Sequence, residues 1–398
     1  MTEAYFARQP SPKEIEKRVQ GYPSWLEIDL DAITHNLEQI RKRVMVEVVP
    51  CVKTNAYGHG LVPVVAHMMN QGVESFLVAK LWEAEQIRDA KLDCVVVSMD
   101  PLFSDENCEK VVKLGITQTV YQKATADKLN GAAAKIKSKA LIWVKMDTGL
   151  GRVGVRWTEA VELIKYISRL PNLEITGLFS TMSENDELDK VQIERMKSVS
   201  GELDRLGIRY GVRSMASGQA VFHKPYTFLD AVRPGLMLFG FYPDPEDRNS
   251  GLDLRQAFAL KARVEQVKWV DEGESLTYSR RFTAPKRMKV GTVHIGYSDG
   301  FPRGLTNKGL VKVGERIMAV LGTVSVNHFL VDLDGTDVDV GGVVEAIGRE
   351  GENNAHNISE LAGIMTYSLM VGLNPLTPRV YYRAGKPVAV SEPRLVEK

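Results

Sequence analysis

Between Met45 and Val232 the chain repeats one pattern: a short apolar run that reads as a buried strand, a segment of helical period, then another run. The runs fall at about 45–52, 75–79, 94–98, 117–121, 140–146, 173–179, 208–215 and 227–232. Strands separated by helices and short loops call for parallel pairing with helical crossovers. A (β/α)8 barrel and a doubly wound open sheet both satisfy that demand. The position of Lys53 favours the barrel. It follows directly on the first run, Met45 to Val52, ahead of a glycine-bounded turn and the helical pattern Leu61 to Asn70, on the side where such barrels carry their functional loops. A lysine at a strand end, against apolar walls that disfavour its charge, can act as an imine-forming nucleophile near neutral pH.

The flanking sequence reads differently. Trp25 to Leu30 predicts a strand, Asp31 an N-cap, and Ala32 to Arg43 an amphipathic helix with Ile33, Leu37 and Ile40 on one face. After about residue 250 come Val264 to Val270, Lys289 to Ile295, Gly309 to Val313, Ile317 to Leu321, Phe329 to Leu333 and Val343 to Ile347. These are short strand-like runs broken by Gly, Asp and Asn, with almost no helix until Ser359 to Ile364. With 398 residues, the chain is expected to form an extension (1–24), a barrel (25–250) and a β-rich second domain (251–398). The strand at 25–30 is a candidate to pair with the second domain, and the linker is expected near Asp244 to Asp253, where Pro, Asp, Asn and Gly crowd together.

Composition narrows the partners. A formal charge of +1 with no long basic run gives no electrostatic case for nucleic acid or an anionic membrane, so a small molecule is the expected ligand. Cys51, Cys94 and Cys108 are odd in number and lack metal-ligand spacing, so free thiols in a reducing compartment, and no metal site, are expected. Residues 1–24 hold no apolar core of signal-peptide length, and no run approaches the roughly 20 apolar residues of a membrane span. A soluble, cytoplasmic protein is expected.

Val49-Pro50-Cys51-Val52-Lys53-Thr54-Asn55-Ala56-Tyr57-Gly58-His59-Gly60 closely resembles the pyridoxal-phosphate lysine motif of the alanine racemase family. Gly296-Tyr297-Ser298-Asp299-Gly300 matches that family's Gly-Tyr-x-Asp-Gly motif, and the two motifs fall in the family's order. The resemblance implies an N-terminal (β/α)8 barrel with a C-terminal β-rich domain, pyridoxal 5'-phosphate as cofactor, and a homodimer whose active sites are shared between subunits. Lys53 then holds the cofactor covalently and serves as one of two bases, and Tyr297 is the other. Tyr57 helps hold the cofactor phosphate.

Other segments extend the match. Lys145 to Gly154 makes Lys145 a candidate for carbamylation and places Arg152 near the cofactor's phenolic oxygen and the substrate; a carbamate would replace cation repulsion by a charge-assisted contact. Ser214-Met215-Ala216-Ser217-Gly218 resembles the phosphate loop, with Ser217 in the serine position and Ala216 where Asn is usual. Val232 to Gly240 makes Arg233 the partner of the pyridine nitrogen and the amides of Gly235 and Leu236 phosphate donors. Tyr367 corresponds to a tyrosine packed near substrate and phosphate, and Thr377 to Tyr381 to the closing strand.

Departures cluster where substrate is expected. Ser180-Thr181-Met182 stands in place of Thr-His-Phe, and Ser325-Val326-Asn327 where a Met-Asp pair usually closes the substrate site from the partner subunit. The implied activity is interconversion of L- and D-alanine or a similar small neutral amino acid, with Arg152, Val326 and Asn327 as substrate contacts. Serine or a broader set is the next candidate. A related decarboxylase would carry a cysteine in the C-terminal half, and none follows Cys108. A non-catalytic pyridoxal-phosphate-binding protein resembles the barrel alone.

Overall fold

The structure, a computed structural model describing residues 3–393, contains two large sheets. The first is parallel and runs in the order Glu47–Val48, Ala231–Arg233, Val212–Ser217, Leu173–Phe179, Ala140–Asp147, Thr117–Val120, Val95–Ser98, Ser75–Val78. It closes on itself through a parallel bridge between Cys51 and Leu77, with Val52 N–H donating to Leu77 O at 2.9 Å and Leu77 N–H to Pro50 O at 2.9 Å. That is the (β/α)8 barrel rather than the open doubly wound sheet. Its strands are covered on both faces, as Thr117–Val120 illustrates: it is buried at every position although only Val120 is apolar.

Inside the barrel, Val49, Leu77, Val97, Trp143 and Phe179 form their own packed cluster, with the Trp143 and Phe179 rings 5.8 Å apart. Gly177 makes room for the indole, since a Cβ there would lie 2.6 Å from the Trp143 ring. The helices bury their apolar stripes on the outside of the strands. Leu30–Val44 shows the spacing: Ile33, Leu37, Ile40 and Val44 are all buried.

Two local expectations are corrected. The helix begins at Leu30, and its N-cap is Asp29, not Asp31; the Asp29 carboxylate accepts the amides of Asp31 and Ala32 at 2.9 and 3.0 Å. Within 45–52, only Glu47–Val48 pairs as regular strand. Met45 is instead the helix C-cap at φ 53°, and Pro50 has no N–H to give to a ladder.

The second sheet is antiparallel apart from one pair. Its order is Met288–Val293, Phe329–Asp332, Arg316–Leu321, Leu310–Val313, Val343–Ile347, Phe258–Val270, Ser24–Asp29, Arg379–Arg383, Lys386–Ser391, and Met288–Val293 also pairs with Phe258–Val270. Ser24–Asp29 lies antiparallel to Phe258–Val270 and parallel to Arg379–Arg383, so the strand that leads into the barrel is itself part of this sheet. Helices Ala355–Ala362 and Thr366–Val371 lie between Val343–Ile347 and Arg379–Arg383, and the second carries Tyr367.

Asn36 ties the barrel to the segment that enters the second sheet. Its amide is buried, donating to Leu238 O at 3.1 Å and Arg255 O at 2.8 Å, and accepting from Arg255 N–H at 2.7 Å. Leu238 lies three residues past Gly235, so the same amide steadies the turn that follows Arg233. Asn36→Ala strands these backbone groups, and we expect a loss of about 1–3 kcal/mol of unfolding free energy, read by urea denaturation.

Candidate active site

The C-terminal ends of the barrel strands gather four cations. Lys53 follows the first strand, Lys145 lies near the end of Ala140–Asp147, Arg152 sits on the loop beyond, and Arg233 ends Ala231–Arg233. Lys145 and Arg233 are buried, Lys53 is half-buried, and Arg152 is exposed. Among the described residues no carboxylate pairs with any of them within 4.0 Å. Neutral groups hold the two buried ones. Arg233 donates to Ser214 Oγ and, at 2.6 Å, to Ser180 O, with its guanidinium 5.0 Å from the centre of the Phe179 ring. Lys145 donates to Thr181 Oγ1 at 3.4 Å.

The crowding shows in the protonation equilibria. Burial pushes the Arg233 pKa down to about 10, which leaves it charged at neutral pH. Lys145 falls to about 8, through burial first and then repulsion from Arg233, Arg152 and Lys53. Lys145 loses its proton as pH rises through about 8, so its share of the repulsion eases above that pH.

Beside the cations lies a cradle of glycines and tyrosines. A Cβ on Gly235 would come 2.4 Å from Tyr57 Oη, so backbone and hydroxyl approach as closely as only glycine permits. The Tyr57 ring is buried 6.2 Å from the Tyr367 ring, and the Tyr367 hydroxyl is the group nearest a Cβ built on Gly218, at 3.9 Å. Burial raises the Tyr57 pKa well above its ordinary value and Tyr367's to about 12, keeping both as hydroxyl donors. The structure thus brings together Lys53, Tyr57, Lys145, Arg152, Ser217, Arg233, Gly235, Leu236 and Tyr367. Tyr297, Val326 and Asn327 it places elsewhere. They line an open cavity of about 470 Å³ with Tyr278, Arg303 and Ser325, and Tyr297 is 42% and Val326 46% exposed. Asn327 Nδ2 donates to Ser298 Oγ at 3.0 Å, and Gly296 is required there because a Cβ would meet Ser325 O and Val326 O at 2.2 Å.

Sequence reasoning missed how Lys53 is held. The five residues from Lys53 form a turn in which Thr54, Asn55, Ala56 and Tyr57 are all left-handed, with φ of 51–56°. For side chains with a Cβ, that conformation costs about 1–2 kcal/mol per residue. Glu83, fully buried, offsets it: its carboxylate accepts the Asn55 amide at 3.2 Å and the Ala79 and Lys80 amides at 3.0 and 3.1 Å. Asn55 Oδ1 accepts Leu61 N–H at 2.8 Å, and Arg379 donates to Gly58 O at 2.8 Å. A charged residue inside an otherwise apolar helix pattern, Leu81-Trp82-Glu83-Ala84, was the available signal for Glu83. Glu83→Ala should cost about 1–3 kcal/mol of stability and speed hydrogen exchange in a peptide spanning Asn55. Unchanged exchange would mean that the turn holds itself.

The chain matches the sequence models of the alanine racemase N-terminal domain over residues 28–243 and C-terminal domain over 257–381. It is 32% identical over 379 residues to the alanine racemase of Clostridium perfringens strain SM101, covering 92% of this chain and 97% of that one. The alanine racemase of Carboxydothermus hydrogenoformans is 32% identical over 367 residues, 90% and 99% of the two chains. Among solved structures, alanine racemase from Clostridium difficile 630 superposes with a TM-score of 0.88 at 28% identity, covering 93% and 98% of the two chains. The Bacillus anthracis enzyme with bound L-Ala-P gives 0.84 at 27% identity, covering 93% and 97%. A barrel with a cation-lined mouth, an antiparallel second sheet, and full-length matches of this kind make the chain a member of the alanine racemase family, an isomerase.

Proposed function

We propose that the protein racemises a small neutral α-amino acid, alanine first, with pyridoxal 5'-phosphate held on Lys53 and with Lys53 and Tyr297 as its two bases. The observation that carries this reading is the convergence of Lys53, Lys145, Arg152 and Arg233 on one barrel mouth, with no carboxylate partner among the described residues. The residues fit a phosphorylated, anionic aromatic cofactor. Tyr57, Ser217, Tyr367 and the amides of Gly235 and Leu236 would hold its phosphate in the glycine cradle, and Arg233 would face its ring nitrogen. When bound, the cofactor supplies an electrophilic aldehyde and a conjugated ring that acidifies the substrate's α-carbon.

The chain's own residues then direct the proton. Arg233 stays charged at neutral pH and can only donate, so it would leave a cofactor ring nitrogen facing it unprotonated and would weaken the ring's electron withdrawal. That favours prompt return of a proton to the α-carbon. Lys53 Nζ takes or returns the proton on one face and Tyr297 Oη on the other, which inverts the centre. Arg152 receives the substrate carboxylate. Lys145 is neutral above pH of about 8 and can then add carbon dioxide; the carbamate would turn its repulsion of Arg152 into attraction.

Tyr297 lies outside the barrel mouth of its own chain, in an exposed cavity, which supports a homodimer in which each mouth is completed by the partner. Mixing inactive Lys53→Ala and Tyr297→Phe proteins under subunit exchange creates heterodimers with one intact and one doubly damaged site. We expect racemase activity to return; proven exchange without activity would refute sharing.

Substrate choice rests on Val326 and Asn327, and Thr181, which touches Lys145, fills the place where the family usually has histidine. One methylene of pocket volume is worth about 1–3 kcal/mol, so Val in place of Met admits larger side chains without excluding alanine. Val326→Met with Asn327→Asp should move relative kcat/KM toward alanine in a chiral assay over a panel of L-amino acids. Unchanged ratios among alanine, serine and larger residues would overturn this account of specificity. Absence of racemisation with every amino acid tested would overturn the function.

A further inference from the structure

Three side chains outside the barrel converge on the second sheet. Antiparallel pairing of Met288–Val293 with Phe329–Asp332 sets Val293 opposite Phe329. The next residues, His294 and His328, therefore face one another, with ring centres 4.9 Å apart. In the neighbouring strand the register slips: Val264 pairs with Val293 but Gln266 with Thr292, leaving Glu265 as the extra residue of a bulge. A bulge re-aims its side chain, and here it brings the carboxylate to both imidazoles. Glu265 Oε2 lies 2.5 Å from His294 Nδ1 and 3.3 Å from His328 Nε2, and all three ligating atoms fall within 4.8 Å of one another.

We propose that Glu265, His294 and His328 bind a divalent transition-metal ion of the zinc class, with the remaining coordination position open to water. Two imidazoles and a carboxylate are a donor set that zinc and its neighbours accept. With metal–ligand bonds of about 2.0–2.1 Å, tetrahedral ligands sit roughly 3.3 Å apart. Glu265 and His328 already have that separation. The Glu265–His294 hydrogen bond must open, and both side chains are 44% exposed, so they can turn without disturbing the core. The ligands are 29 and 63 residues from Glu265 along the chain, which is why no metal-ligand spacing was visible in the sequence.

The ion would tie together two segments that matter. Tyr297 is three residues beyond His294, and Asn327 immediately precedes His328. Tyr297 N–H already donates to Ser325 O at 3.1 Å, and Ser325 N–H to His328 O at 2.8 Å. Metal binding at the base of these loops fixes their relative position; the ion is outside the reaction itself.

The test is titration of the purified, chelator-treated protein with Zn(II) by calorimetry and with Co(II) by visible spectroscopy, comparing wild type with His294→Ala, His328→Ala and Glu265→Gln. A Cys94→Ser protein controls for thiol binding, and circular dichroism checks that each variant is folded. We expect one equivalent per chain, affinity lowered by at least about tenfold in each ligand variant and unchanged in Cys94→Ser, and a Co(II) spectrum without thiolate charge transfer. Hydrogen exchange across 294–298 and 325–328 should slow on adding Zn(II). Absence of stoichiometric binding, or binding indifferent to both histidine substitutions, would show a hydrogen-bonded His–Glu cluster only and overturn the proposal.

Discussion

Like charge held at the mouth of the barrel is the constraint on which the rest of this structure turns. Arg233 is almost wholly buried, yet its hydrogen bonds go to Ser214 and Ser180 and not to a carboxylate. Lys145 is buried beside it on Thr181. Leaving buried charges without counter-ions is costly, and proteins usually answer by pairing or neutralising them. Here the answer is partial: Lys145's proton is loosened to about pH 8, and the remaining positive field is left facing the opening. An anionic ligand is the complement such a field selects, which is why the phosphate-bearing cofactor and a carboxylate-bearing substrate are the natural occupants in the proposed function.

That field is useful only if Lys53 is aimed into it, and the aiming is expensive. Four successive left-handed residues work against the ordinary preference of L-amino acids, and the turn is braced by Glu83, which accepts its Asn55 amide, by Asn55's own side chain, which accepts Leu61 N–H, and by Arg379, which donates to Gly58 O. Arg379 comes from the second sheet. The β-rich domain therefore supports the turn that carries the barrel's lysine within the same chain, and it also carries Tyr297, which lies exposed in a separate cavity. One domain thus performs two tasks, stiffening its own chain's mouth and, in the proposed dimer, completing its partner's.

Much of the barrel was legible because its signal is periodic. Strands covered on both faces are rich in apolar residues, so runs such as Val95–Ser98 and Leu173–Phe179 fall where the alternation predicts them. The end of the first helix was less legible. Both Asp29 and Asp31 could cap, and the choice depends on Asp29 being the last residue of a strand whose partners are more than 200 residues away. Lys53, Tyr57 and Arg233 could be singled out from local strings, whereas for Glu83 a charge in an apolar stretch was the only hint: its importance lies in which amides reach it in three dimensions. The same holds for Glu265 with the two histidines, which meet through strand register and a bulge that no local string encodes.

The claim at the centre of this account is that the cation-lined mouth presents Lys53, and no other lysine, to pyridoxal phosphate. Borohydride reduction of the protein loaded with the cofactor, followed by proteolysis and mass mapping, tests it directly. The account predicts a stable pyridoxyl adduct on the peptide containing Lys53. An adduct on Lys145 or any other lysine, or no adduct at saturating cofactor, would contradict it.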